Sequence, residues 1–326
     1  MTNGTQVIPG QDEAHRQWSA ALGSDRLHHA WLLAGPRGLG KGAFAVQAAR
    51  DVVGVSTDGD HPDILKLSHP PKDKKEADKQ AAGKPFELAR NIKVDQIRAM
   101  QGRLTTRPTL GARRAIVVDP ADDMEKGAAN ALLKSLEEPP DGTIFLLVAH
   151  APARLLPTIR SRCRVLRFRP LGDATLTNLL EANHGSHSRE AIAAAVAHGA
   201  GSPGRAVQFL DMELGDIAET MHRLLVQGDD DFQLRGELAR QIGARPKRER
   251  LAAVLDLARL VLANRIADTV SRDLGRVEGA ALADAHAALV QLAREVPTYN
   301  FDPQLLAAQI GGLLARAASP RAAANA

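Results

Sequence analysis

The stretch that most limits the fold is GPRGLGKG, Gly35 to Gly42, because of what stands on either side of it. Ahead of it lies the short apolar run AWLL, Ala30 to Leu33, and behind it a helix-compatible stretch runs through Arg50. A buried strand, a glycine-rich turn closing on lysine, and a helix that starts at once make the frame of a phosphate-binding loop. Gly35, Gly38 and Gly40 let the backbone approach a phosphate, and free amides at a helix N-terminus favour an anion. Lys41 is then set to lie beside the β and γ phosphates. A chance glycine-rich turn is the competing explanation, and the flanking strand and helix count against it.

The surrounding sequence repeats the same alternation. A helix is expected over Asp12 to Leu22, and short apolar strands over Ile64 to Leu67, Ala115 to Val118, Ile144 to Val148 and Val165 to Phe168. Helices are expected over Val94 to Thr105 and Ala128 to Leu136, the second stopping before Pro139-Pro140. Apolar strands alternating with helices predict an α/β fold, a parallel sheet with helices on both faces, over residues 1–170. Residues 68–90 are polar, lysine-rich and bounded by prolines, and read as a solvated insertion or partly disordered loop. Their lysines could touch DNA phosphates, but a solvated surface explains them as well.

Beyond Pro170 only helical patterning is left. Residues 171–211 are expected to form a small helical lid, and 212–326 an all-α domain. In the latter Leu251, Val254, Leu255, Ala258 and Leu262 recur at helical spacing on one apolar face. The tail SPRAAANA reads as disordered.

With aromatic residues at 3%, the cores must come mainly from Ala, Leu, Val and Ile. A net charge of +4 fits a nucleic-acid partner without requiring one. A single cysteine, Cys163, excludes an intrachain disulfide and a zinc site built from several thiolates. The first residues lack a basic segment followed by an apolar one, and no run approaches a membrane span, so a cytoplasmic location with no membrane partner is expected.

Two positions break the pattern of a working nucleotide site. A working loop places Ser or Thr after the lysine to ligate magnesium; here Gly42 has no side chain. In AIVVDPADDM, Asp119 ends an apolar strand and stands where a carboxylate helps hold the metal. The following position, which must activate water in an active ATPase of this type, is Pro120. Asp122 reads as a weak substitute or as a cap of the next helix. His150, after the strand IFLLV, is a weak candidate sensor of phosphate or else a surface histidine. His28 and His29 read as structural.

Two further motifs carry arginines. In TIRSRC, Thr158 to Cys163, Arg162 has the planar fork suited to a γ-phosphate, yet Arg160, Arg164, Arg167 and Arg169 nearby favour a merely basic, solvated edge. Cys163 reads as a small buried apolar group. In GSPGRA, Gly201 to Ala206, Arg205 either reaches a nucleotide phosphate or is an exposed arginine on a Ser-Pro helix start.

Taken in order, RLHHAWLLAGPRGLGK, NIKVDQIR, AIVVDPADDM, AANALLKSLEEPP, LLPTIRSRC and GSPGRA form a set. Over about residues 8–210 this set resembles the AAA+ clamp-loader subunits of bacterial DNA polymerase III, in their delta-prime branch. The resemblance implies an AAA+ P-loop domain, a helical lid and a helical collar that holds the subunit in a ring. It implies a role in loading the sliding clamp onto primed DNA, with gamma/tau motor subunits, a delta subunit, the clamp and DNA as partners. It also implies that Arg162 acts on the ATP of an adjacent subunit. Motor subunits keep an intact site and delta-prime commonly does not; Gly42 and Pro120 put this chain with the latter. No cofactor is then required: ATP binding through Gly35, Gly38, Gly40, Lys41, Asp119 and Arg205 is possible but weak or vestigial. Many relatives carry a cysteine-rich zinc module after the loop; Asp51 to Pro71 has no cysteine, so no zinc is expected.

Overall fold

A computed structural model describes residues 9–24, 27–56, 59–271, 276–296 and 301–318, the side chains of 270, 271 and 276–278 excepted. The chain forms two compact units, 1–171 and 172–326. The expected disordered tail lies outside the described residues.

The first unit runs α1 (Asp12–Leu22), β1 (Ala30–Ala34), α2 (Lys41–Val53), β2 (Ile64–Leu67), α3 (Lys74–Ala81), α4 (Val94–Leu104), β3 (Arg114–Val118), α5 (Lys126–Glu137), β4 (Thr143–Ala149), α6 (Pro157–Ser161) and β5 (Arg164–Arg167). Its sheet has five strands in the order β2-β3-β4-β1-β5. Every pairing is parallel; Leu32, for example, stands between Leu147 and Val165. β1, β3 and β4 are buried along their whole length. That is why their sequences read as unbroken apolar runs: helices cover both faces, so no position faces water. On one face Trp18, Trp31, Phe44 and Phe168, four of the ten aromatic residues, meet edge to face. On the other, Ile97, Met100 and Leu132 pack with Ile116 and Phe145 of the sheet.

The element ends follow local chemistry. α5 stops at Glu137 because Pro139 drives Glu138 out of helical backbone, to φ −123 and ψ 72. α2 closes on Gly54 at φ 75, a left-handed cap suited to glycine. β3 begins one residue earlier than apolar patterning shows. Its first residue, Arg114, is buried against Asp63 at 3.4 Å, and Asp63 also accepts from the amides of Thr109 and Leu110 at 2.6 and 2.8 Å.

The insertion at 68–90 is solvent-exposed over most of its length, as expected, but it is an ordered excursion rather than a disordered loop. It holds helix α3, capped by Asp73, whose Oδ1 accepts from the Glu76 amide at 3.0 Å. Glu76 is buried; it accepts from Lys79 Nζ at 2.6 Å and from the Glu87 amide at 2.7 Å. Pro71 and Leu88 form a bridge that closes the excursion. Polar contacts to one buried carboxylate order the segment, so apolar patterning could not reveal it.

The second unit is helical throughout its described residues: α7 (Asp173–His184), α8 (Arg189–Gly199), α9 (Pro203–Asp211), α10 (Gly215–Gln227), α11 (Gln233–Ile242), α12 (Arg248–Ser271), α13 (Arg276–Glu295) and α14 (Pro303–Arg316). Val254, Leu255, Ala258 and Leu262 of the expected α12 face are buried. Asp229 is the polar anchor here. It accepts from the Leu234 and Arg235 amides at the start of α11 and pairs with Arg235 Nε at 2.7 Å. No helix among the described residues is long and apolar enough to cross a membrane.

Candidate nucleotide site and arginine corner

The glycine loop leaves β1 and enters α2 as expected. Gly35 donates its amide to Ala149 O at 3.3 Å, and a Cβ there would collide with Phe168 O, so only glycine fits. Gly38 and Gly40 have φ of 77 and 80, the left-handed region that favours glycine. Lys41 opens α2 and is 2% exposed. Its ammonium donates to Gly35 O at 2.7 Å and to Pro36 O, so it is bound into its own loop. Burial pushes its pKa down to about 8, against the pull of Asp119 and Asp122.

Asp119 leaves β3 beside this loop, as the sequence led one to expect. Its Oδ2 lies within 3.0 Å of the point where a Cβ on residue 42 would stand. A side chain at position 42 would therefore need the Asp119 carboxylate, the far end of a flexible side chain, to swing aside. Burial raises the Asp119 pKa, moderated by Lys41 and His69. The loop thus keeps amides and an ammonium suited to phosphate. It offers no hydroxyl for a metal at position 42, and Pro120 in place of an acid.

The neighbouring acids do structural work. Asp122 does not cap α5, whose N-cap is Glu125. Its two oxygens accept from the amides of His150 and Ala151 at 3.0 and 2.8 Å, tying the end of β4 to the turn after β3. His150 is partly buried rather than a surface residue; burial, helped by Lys41 and Arg37, lowers its pKa to about 4 and keeps it neutral. Asp123, which the sequence reading missed, gathers Arg37, His69 and Arg154 at 3.4, 3.3 and 3.3 Å. Burial would raise its pKa, but His69 and the two arginines hold it low. His28 and His29 stack, and the His29 Nε2 meets Leu136 O at 3.1 Å, as structural residues do.

Arg162 stands at the other end of the sheet. It is the C-cap of α6, just before β5 begins, whereas the glycine loop follows the C-terminal end of β1. Arg164 is paired with Trp31 and Arg167 with Ala34, so the length of β1, about 16 Å, separates the arginine from its own chain's loop. Its NH1 donates to Thr158 O at 3.0 Å and its NH2 meets Glu137 Oε1 at 2.7 Å. Glu137 was not singled out by sequence. A signal existed, because carboxylates at a helix C-terminus need a counter-charge. Arg160 donates instead to Pro152 O, and Arg164 lies over the Trp31 ring. Cys163 packs against the core, where burial pushes its thiol up to about 12. Arg205 belongs to the second unit. It follows the cap Ser202 of α9 and lines a cleft there with His198, Phe209 and Asp256.

A parallel sheet in the order 5-1-4-3-2, with the glycine loop after β1 and an aspartate after β3, defines a P-loop NTPase-like domain of the AAA+ class. Within that class the chain belongs to the family described as DNA polymerase III, delta subunit, which matches residues 10–172, half of its length. It is 38% identical over 162 residues to the DNA polymerase III subunit delta' of Pseudomonas aeruginosa, covering 45% of this chain and 44% of that one. It is 30% identical over 222 residues to the delta' subunit of Escherichia coli, covering 63% and 61%. With the gamma/tau subunit of Mycobacterium tuberculosis it shares 31% over 226 residues, covering 65% and 37%. The aligned region thus spans roughly half the length of these relatives. A gamma-subunit-related DNA polymerase III protein of Thermotoga maritima superposes with a TM-score of 0.45 at 16% identity, covering 94% of this chain and all of that one.

Proposed function

We propose that this chain is the delta-prime-like subunit of a DNA polymerase III clamp loader, helping ATP-driven loading of the sliding clamp onto primed DNA. It is not an ATPase by itself. Its own site is degenerate, and Arg162 is supplied to the ATP of a neighbouring subunit. The observation that carries the reading is Gly42 directly after Lys41 and beside the Asp119 carboxylate, because a motor subunit needs a metal-binding hydroxyl at that position and glycine has none. Pro120 supports it, as does the position of Arg162 at the far end of the sheet from its own loop.

The partners are gamma/tau motor subunits, a delta subunit, the clamp and DNA, in the cytoplasm. Residues 1–170 act as the AAA+ domain, 171–211 as the lid and 212–326 as the collar that holds the ring. No cofactor and no zinc are required. Gly35, Gly38, Gly40, Lys41, Asp119 and Arg205 form a weak or vestigial nucleotide site. One observation favours a second reading, in which the loop takes no nucleotide: Lys41 is already satisfied by Gly35 O and Pro36 O. Titration with a fluorescent ATP analogue separates the two, since saturable binding excludes the second.

The test of the arginine is hydrolysis by complexes reconstituted with the motor, delta and clamp subunits of the same organism. Arg162→Ala should leave assembly intact and slow the one site it serves by on the order of a thousandfold. Arg162→Lys should rescue poorly, because an ammonium lacks the bidentate fork. Equal losses from Arg160→Ala and Arg162→Ala, or full activity with Arg162→Ala, would return the segment to a basic surface.

A further inference from the structure

We infer that Glu137 is the positioning residue for Arg162, an inference that rests on the reading of Arg162 as acting on a neighbour's ATP. Glu137 is the last residue of α5, where the helix end is already negative and a carboxylate is unfavourable unless a cation answers it. Arg162 is that cation, at 2.7 Å. The second hold on the guanidinium comes from a different element, the Thr158 carbonyl within α6, at 3.0 Å. Two contacts from two helices fix the plane of the group. A guanidinium has five N–H donors, so donors remain for an anion presented from outside.

The pairing is selective. Among the described residues, Arg162 alone of Arg160, Arg162, Arg164, Arg167 and Arg169 is ion-paired with a carboxylate. A basic edge whose role was only to be charged would give no reason for that choice. Both partners are partly exposed, Arg162 at 35% and Glu137 at 49%. Such a pair is too weak to lock the fold, but it restricts a long side chain that would otherwise lose its freedom on meeting a phosphate. Glu137 touches no reacting atom; it acts through the arginine.

The test is single-turnover ATP hydrolysis by the reconstituted complex, followed so that the site this chain completes is resolved from the others. Glu137→Gln should slow that phase about two- to fivefold while ATP affinity and assembly stay unchanged. Glu137→Asp, which keeps the charge, should recover part of the rate. In an Arg162→Ala background, Glu137→Gln should bring no further loss. A Glu137→Gln rate at or above wild type overturns the inference. So does a further loss in the Arg162→Ala background, since a merely structural role does not need the arginine. If Arg162→Ala alone leaves the phase intact, the arginine reading itself has failed, and that is seen before Glu137 is changed.

Discussion

The two ends of the sheet treat charge in opposite ways. At the C-terminal end of β1, Lys41 is buried and bound to its own loop carbonyls, with the Asp119 carboxylate beside Gly42. At the other end Arg162 stays partly exposed, held by Glu137 and Thr158 O with donors to spare. A site closed on its own groups has little left to give a ligand. A cation held at a surface can serve a group brought by another molecule. On this contrast, changes at the loop should register in the chain's own stability, and changes at the arginine corner should register in a partner's chemistry.

The largest stability effect is expected at Lys41. Its folded-state pKa of about 8 lies below the ordinary 10.5, so between those values the unfolded chain binds more protons than the folded one. Stability contributed by this group therefore rises with pH through that window, and the cost of burying the charge is fully present below about 8. Relative to Lys41→Met, the natural chain should gain on the order of 3 kcal/mol between pH 7 and 10.5, read by denaturant unfolding. A difference that does not move with pH would mean that the loop is open to water.

A smaller effect is expected at Gly42. Gly42→Thr moves the Asp119 carboxylate aside and should destabilise by no more than about 1 kcal/mol without creating ATP turnover, because Pro120 is unchanged. Adding Asp119→Ala should recover part of that loss, since the two residues compete for one space. Turnover gained by Gly42→Thr alone would show that the site lacked only its hydroxyl. The smallest effect belongs to the other end. Glu137→Gln should change unfolding free energy by less than about 1 kcal/mol, because the pair is half in water.

Sequence patterning captured whatever depended on apolar periodicity or backbone motif. Asp12–Leu22 and Ile64–Leu67 fall where expected, and the glycine loop joins strand to helix as its frame requires. Polar order was hidden. α3 is organised by buried Glu76 rather than by apolar residues, although Asp73 three positions before Glu76 was a readable helix start. Asp122 looked like a cap because caps are local, whereas its partners lie 28 and 29 residues away. The Glu137–Arg162 pair is equally non-local. It needs the turn at Pro139-Pro140, the strand β4 and the helix α6 to bring its two halves together.

Steady-state ATP hydrolysis by the purified chain tests the central claim most directly. With magnesium and saturating ATP, the chain alone should show no turnover above background, because neither Gly42 nor Pro120 can supply what the reaction needs. Steady turnover that Lys41→Ala abolishes would contradict the account and make this chain a motor in its own right.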